Sequence, residues 1–237
     1  MSSPPIPSPP STGASAASRR IRRRWPIITG SVALGVALLM GLLLATRDAP
    51  SGLDQEWLDE LIDERGPWFD VPALLLDWVG GHVVGIVVVP LAMVIWLLAL
   101  RRPWAAGFSI AAAIVSAGVV QLLKAVFDRA RPELMLVASD EGSFPSGHVA
   151  NAATIAVVVG LVFGLGPDRR WWVWLVGSAY VVAMALSRTY LGVHWLTDTI
   201  GGVLIGGGIA VALWAPIADR LSAEPRSPRS ARSEHPL

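Results

Sequence analysis

The chain has 237 residues, is 53% hydrophobic and only 16% charged, with a formal net charge of +1 and a mean hydropathy of +0.55. A soluble domain of this length normally carries about 25% charged residues, so the composition points to lipid as solvent. The absence of cysteine excludes disulfides, thiolate metal sites and cysteine nucleophiles.

In chain order, Met1–Ser18 is rich in Ser, Pro and Ala and cannot bury enough to order itself. With the arginine run that follows, it predicts a disordered basic tail over residues 1–26. Six apolar runs approach the roughly 20 residues that a bilayer-crossing helix needs. They cover Ile27–Thr46, His82–Leu100, Trp104–Phe127, Val149–Gly166, Trp171–Leu186 and Thr199–Ile217. The predicted fold class is all-α, a polytopic membrane bundle of six transmembrane helices over residues 27–217, with the active site at the extracytoplasmic end. A soluble α-protein would need large polar faces over these runs, and none is present. The first run lacks a small-residue cleavage context and reads as an uncleaved span.

Between the first two runs, "LDQEWLDELI" puts Leu53, Trp57, Leu58, Leu61 and Ile62 on one helical face. It reads as a short cover helix without a part in the chemistry, with Trp68 and Phe69 as interface anchors. Pro90 is expected to kink the second span. "GGVLIGGG" (Gly201–Gly208) suits close helix–helix approach in the sixth. Residues 218–237 read as a second disordered tail.

The bases orient the bundle. With the N-terminus inside, "RRIRRR" (Arg19–Arg24), Arg101, Arg102, Arg169, Arg170, Arg220, Arg226, Arg229 and Arg232 share one compartment. These are 13 of the 19 basic residues, as the positive-inside rule requires. Both termini are therefore expected in the cytoplasm, and the short basic-flanked loops and compact size point to a bacterial plasma membrane. Lys124, Arg131 and Arg188 oppose this preference and need another explanation. Arg129 is read as a peripheral contributor or a plain surface charge.

Three polar clusters then fall on the outer side. "KAVFDRARP" carries Lys124 and Arg131 at the end of the third span, and "FPSGH" carries Ser146, Gly147 and His148 at the mouth of the fourth. "SRTYLGVHWLTD" carries Arg188, His194 and Asp198 between the fifth and sixth. Each alone has an ordinary explanation as a snorkelling base, a helix cap or an interfacial histidine; their coincidence on one side does not. Lys124, Arg131 and Arg188 supply positive charge, the arginines with forks suited to bidentate phosphate contact. The start of the fourth helix adds outward N–H groups and about half a positive charge. Gly147 lets backbone approach a ligand oxygen. Such a seat fits phosphate. His194 then serves as nucleophile, forming a phosphohistidine. His148 serves as acid and then base. Asp198, four residues after His194 on one helical face, orients the ring and steadies its cation.

Together these clusters resemble the signature of the type 2 phosphatidic acid phosphatase superfamily, K-x6-RP, PSGH and SR-x5-H-x3-D, at every position. The resemblance implies a six-helix lipid phosphate phosphatase that works without a metal ion or other cofactor. It implies Lys124, Arg131, Ser146, Gly147 and Arg188 as phosphate-binding residues, and His194, His148 and Asp198 as catalytic ones. Outside the signature no spaced set of carboxylates and histidines resembles a metal cage, and no nucleotide-binding loop occurs. Asp140 and Glu141 read as solvated loop charges, and His82 as interfacial packing. The expected partners are the bilayer and a lipid phosphate or pyrophosphate, of polyprenyl diphosphate, phosphatidic acid or phosphatidylglycerol phosphate type, with no nucleic acid. Transfer to an alcohol acceptor, or non-catalytic binding or transport of an anionic lipid, are the alternatives. Chain length, headgroup and oligomeric state are not encoded.

Overall fold

A computed structural model of the chain describes residues 12–47, 49–81, 83–139, 142–163 and 167–224, with side chains described from Arg24 and not over 167–170. Residues 1–11 of the N-terminal tail, His82, Asp140, Glu141, Arg226, Arg229 and Arg232 lie outside the described residues, as do the side chains of Arg19–Arg23, Arg169 and Arg170. Among the described residues every element is helical.

The order is α1 (Thr12–Ala45), α2 (Gly52–Asp63), α3 (Pro67–Gly80), a π-helical turn (Val84–Val88), α4 (Val89–Ala99), α5 (Pro103–Phe127), α6 (Gly147–Val162), α7 (Pro167–Tyr190), α8 (Leu196–Trp214), a 3-10 turn (Ala215–Ile217) and α9 (Ala218–Ala223). Three helices are long and apolar enough to cross a membrane: Arg24–Ala45, Pro103–Phe127 and Leu196–Ala223. Pro67–Gly80 and Val84–Ala99, bent by 47° against each other, make a fourth candidate. The apolar α6 has 16 residues and is shorter than these.

Three expectations are refined. The 47° bend lies between α3 and the π-helical turn, ahead of Pro90. The wide turn, closed by Val89 N–H on Val84 O, absorbs the proline ring and its missing donor. α1 begins at Thr12, inside the segment read as a tail over 1–26, because the arginine run continues the helix. At the other end the bundle reaches Glu224, inside the segment read as a tail over 218–237. The Glu224 carboxylate accepts from Trp104 N–H at 2.5 Å and Ala105 N–H at 3.2 Å, capping α5 in place of a local residue. It also pairs with buried Arg102 at 3.6 Å.

Helix α8 is the centre of the bundle, packed between α1 and α6. Its glycines allow that. A Cβ on Gly202 would lie 2.6 Å from Ser146 O, and one on Gly206 would collide with Ala150 O. The backbones of α6 and α8 are therefore in direct contact, and Ile205 and Ile209 fill the space beside them with Val120, Leu123 and Ala150. This contact brings the start of α6 against the start of α8, where Ser146 N–H donates to Asp198 O at 3.0 Å. Gly206→Ala should therefore lower stability by about 1–3 kcal/mol, read as a fall in Tm in detergent. Gly35→Ala, which meets open space on α1, should not.

Candidate active site

The loop after α5 starts at Asp128, in the left-handed region at φ +38°, and turns the chain back over the bundle. Gly142, at φ +68°, ends its return, and its carbonyl accepts from both Lys124 Nζ (2.7 Å) and Arg131 Nη2 (3.0 Å). Both bases are thus aimed at one point beside α6. Arg131 Nη1 also donates to Val193 O and lies 3.5 Å from His194 Nε2. The loop holding His194 is pinned from outside by Arg65, which donates to Tyr190 O and Leu134 O.

Lys124, Arg131, Gly147, His148 and His194 line one cavity of about 360 Å³. Below them its walls are apolar, from Ile86, Leu91 and Val94 on one side and Ile110, Ala113 and Ile114 on the other. A Cβ on Gly147 would meet Val120 Cγ1 at 3.5 Å, an ordinary contact. Packing alone therefore does not demand glycine here, whereas close approach of a ligand to the backbone would. The first N–H groups of α6 have no acceptor within the helix. Ser146, its N-cap, is fully buried, and its Oγ has no hydrogen-bond partner among the described residues.

Behind the cavity, His194 Nδ1 lies 3.6 Å from Asp198 Oδ2, within ion-pair range but beyond hydrogen-bond reach. Asp198 is rigidly held: Oδ2 accepts from Trp195 N–H at 2.9 Å and Oδ1 from Arg129 Nη1 at 2.5 Å. Burial pushes the His194 imidazole down from its ordinary 6.5 to about 4. Asp198 pulls it up, while Arg131 and Arg188 add to the downward shift. Arg188 is buried and does not line the cavity; its Nη1 donates to Asp77 Oδ1. His148 Nε2 lies 3.6 Å from the same carboxylate oxygen and 3.3 Å from Asp77 O.

All eight residues singled out by the motifs thus gather at one end of the bundle. Five line the cavity; Asp198, Ser146 and Arg188 stand behind it. Two others, Asp77 and Asp54, were not foreseen, and the sequence marks Arg129 only as a peripheral contributor or a surface charge. Asp77 comes from α3, and Asp54 from α2, whose fully buried carboxylate accepts from Arg129 Nη2 at 2.8 Å. Arg129 is not a surface charge: it is buried between Asp54 and Asp198, 5.7 Å from the Trp195 ring. Through Asp54, helix α2 is tied to this end of the bundle. The one available signal was Arg129 itself, a base where orientation disfavours one; "SGLD" at Ser51–Asp54 signals only a helix start. Among the described residues no group of three or more His, Asp or Glu is placed to share a metal ion.

Residues 102–221 match the PAP2 superfamily. The chain belongs to this family. Over 140 residues it is 31% identical to decaprenylphosphoryl-5-phosphoribose phosphatase of Mycobacterium tuberculosis, covering 56% of this chain and 72% of that protein. Over 91 residues it is 37% identical to phosphatidylglycerophosphatase B of Bacillus subtilis, but the match covers 36% of this chain and 45% of the relative, less than half its length. The fold is similar to the crystal structure of a transmembrane PAP2-type phosphatidylglycerolphosphate phosphatase from Bacillus subtilis, with a TM-score of 0.64, 23% identity, and 79% of this chain and 96% of that one covered. It also resembles Aquifex aeolicus LpxE, with a TM-score of 0.59, 25% identity, and 71% and 97% covered.

A folded-state pKa depressed to about 4 leaves His194 neutral from there upward. In NMR spectra of histidine-labelled protein, the resonance lost in His194→Gln should therefore report a neutral ring at about pH 5.5, where an ordinary histidine is mostly protonated.

Proposed function

We propose that this PAP2 protein is an integral membrane phosphatase that hydrolyses a lipid phosphate or pyrophosphate through a phosphohistidine on His194. The observation that carries this reading is the single cavity in which two bases, a helix N-terminus and two imidazoles face one another above apolar walls. Phosphate oxygens would take the donors of Lys124, Arg131, Arg188, Ser146 and the Gly147 and His148 backbone, and the hydrocarbon would run down between α4 and α5.

In the reaction, His194 Nε2 attacks phosphorus and the bond to the leaving oxygen breaks, while His148 gives that oxygen a proton. Asp198 stabilises the imidazolium character that develops at His194. Water then attacks the phosphohistidine, His148 takes the water's proton, and the P–N bond breaks to release phosphate. Neutrality of His194 in the free enzyme keeps its lone pair available. Asp77 now accepts from Arg188, where a phosphate oxygen would bind, so substrate has to displace a carboxylate.

Six membrane crossings, with α6 and α7 completing the set and both termini cytoplasmic, are supported by the distribution of bases. The cavity then opens outside. The relatives' names favour a polyprenyl-phosphate or glycerophospholipid substrate.

Purified protein incubated with a lipid phosphate panel and EDTA should release phosphate. His194→Ala should lower the rate by about 10³-fold or more while retaining binding of inorganic phosphate. A requirement for added divalent cation, or an active His194→Ala, would overturn the mechanism. Label appearing in an alcohol instead of free phosphate would make the enzyme a transferase. Asp77→Asn should tighten inhibition by inorganic phosphate roughly twofold to fivefold, the worth of a part-exposed ion pair.

A further inference from the structure

Asp54 lies outside the three motifs and Arg129 fills a variable position of the first, yet both are buried, and Arg129 joins Asp54 to Asp198. Arg129 Nη1 donates to Asp198 Oδ1 (2.5 Å) and Thr197 Oγ1 (2.8 Å), and Nη2 donates to Asp54 Oδ2 (2.8 Å). Asp54 Oδ1 accepts from Thr197 N–H at 2.9 Å, so a carboxylate of α2 caps the first turn of α8. Asp54 Oδ2 also accepts from the hydroxyls of Thr197 (2.8 Å) and Ser51 (2.9 Å). Each oxygen of Asp54 therefore has a donor, as a fully buried carboxylate requires.

The geometry has an electrostatic consequence. Arg129 fixes Oδ1 of Asp198 and Trp195 N–H fixes Oδ2, so the carboxylate presents Oδ2 to His194 Nδ1 and cannot rotate away. A guanidinium committed wholly to Asp198 would also neutralise it, leaving little negative charge for the imidazolium that forms on attack. Asp54 takes up the second half of the fork. The buried trio of Asp54, Arg129 and Asp198 carries a net charge of about −1, and that charge faces His194.

We propose that Arg129 and Asp54 are a positioning pair for the reaction: they hold Asp198 in its working orientation and preserve its charge for His194. Neither touches the cavity, so they act through Asp198, and α2 becomes part of the machinery. The inference rests on His194 being the nucleophile.

The test uses the full-length enzyme in detergent. Asp54→Asn keeps the shape and loses the charge; it should lower kcat roughly tenfold to hundredfold, as losing an outer partner of a working histidine does, with KM and inhibition by inorganic phosphate nearly unchanged. Arg129→Gln should do the same, and Arg129→Lys, which keeps the charge and one donor, should recover part of the loss. In an Asp198→Asn background Asp54→Asn should cost little more, because the route of its effect is gone. A rise in KM at constant kcat, an equal loss in both backgrounds, or Arg129→Lys no better than Arg129→Gln would overturn the pair's role. If Asp54→Asn fails to fold, the two Arg129 variants decide. An active His194→Ala would instead remove the nucleophile assignment, a result separate from any of these.

Discussion

Charge cannot be carried into an apolar bundle without compensation, and here the compensation ties together elements far apart in the chain. Three carboxylates from three helices, Asp54 of α2, Asp77 of α3 and Asp198 of α8, meet arginines placed after α5 and at the end of α7. Each ion pair crosses between elements, so the site and the packing of this end are one problem. Breaking one partner would strand a buried charge, which costs far more than the intact pair contributes. The arrangement is therefore stiff where His194 and Asp198 sit.

The two sides of the site carry different groups. Around Asp198 the carboxylates dominate, and the negative charge is directed at His194 Nδ1. On the cavity side Lys124 and Arg131 converge on the single carbonyl of Gly142. Both bases also line the cavity beside the start of α6, a placement suited to an anion. His194 lies between the two regions, with Nε2 toward the bases and Nδ1 toward the carboxylate. Its own burial keeps it neutral. The same ring thus faces a phosphate seat and a cation stabiliser, the division of labour that the proposed displacement at phosphorus needs.

Packing puts this end in register. The α6–α8 contact through Gly202 and Gly206 sets the start of α6 beside Asp198, so the N-terminal donors and the His194–Asp198 pair share one frame. Above, Arg65 clamps two loops at once through main-chain carbonyls. The apolar walls below are exposed to what surrounds the bundle, where side chains such as Ile114 and Leu91 stand more than half exposed. A hydrocarbon tail would find in them a continuation of the bilayer.

By itself the sequence determined the helical class, the extent of α5, the start of α6 at the PSGH turn, the small-residue seam of α8 and the gathering of three motifs at one end. Those features are written locally, as apolar length, as cap residues, and as spacings that count helical turns. Only the tertiary structure decided the partners. Asp54 and Asp77 are ordinary charged residues in their own segments, Arg129 signals only that a base stands on the disfavoured side, and nothing within a few positions of them says against what they pack. The bend before the π-helical turn and the capping of α5 by Glu224 are of the same kind. Pairing between distant segments depends on which faces the bundle brings together, and that is a property of the packed whole, because desolvation and its compensation are set by every neighbour at once.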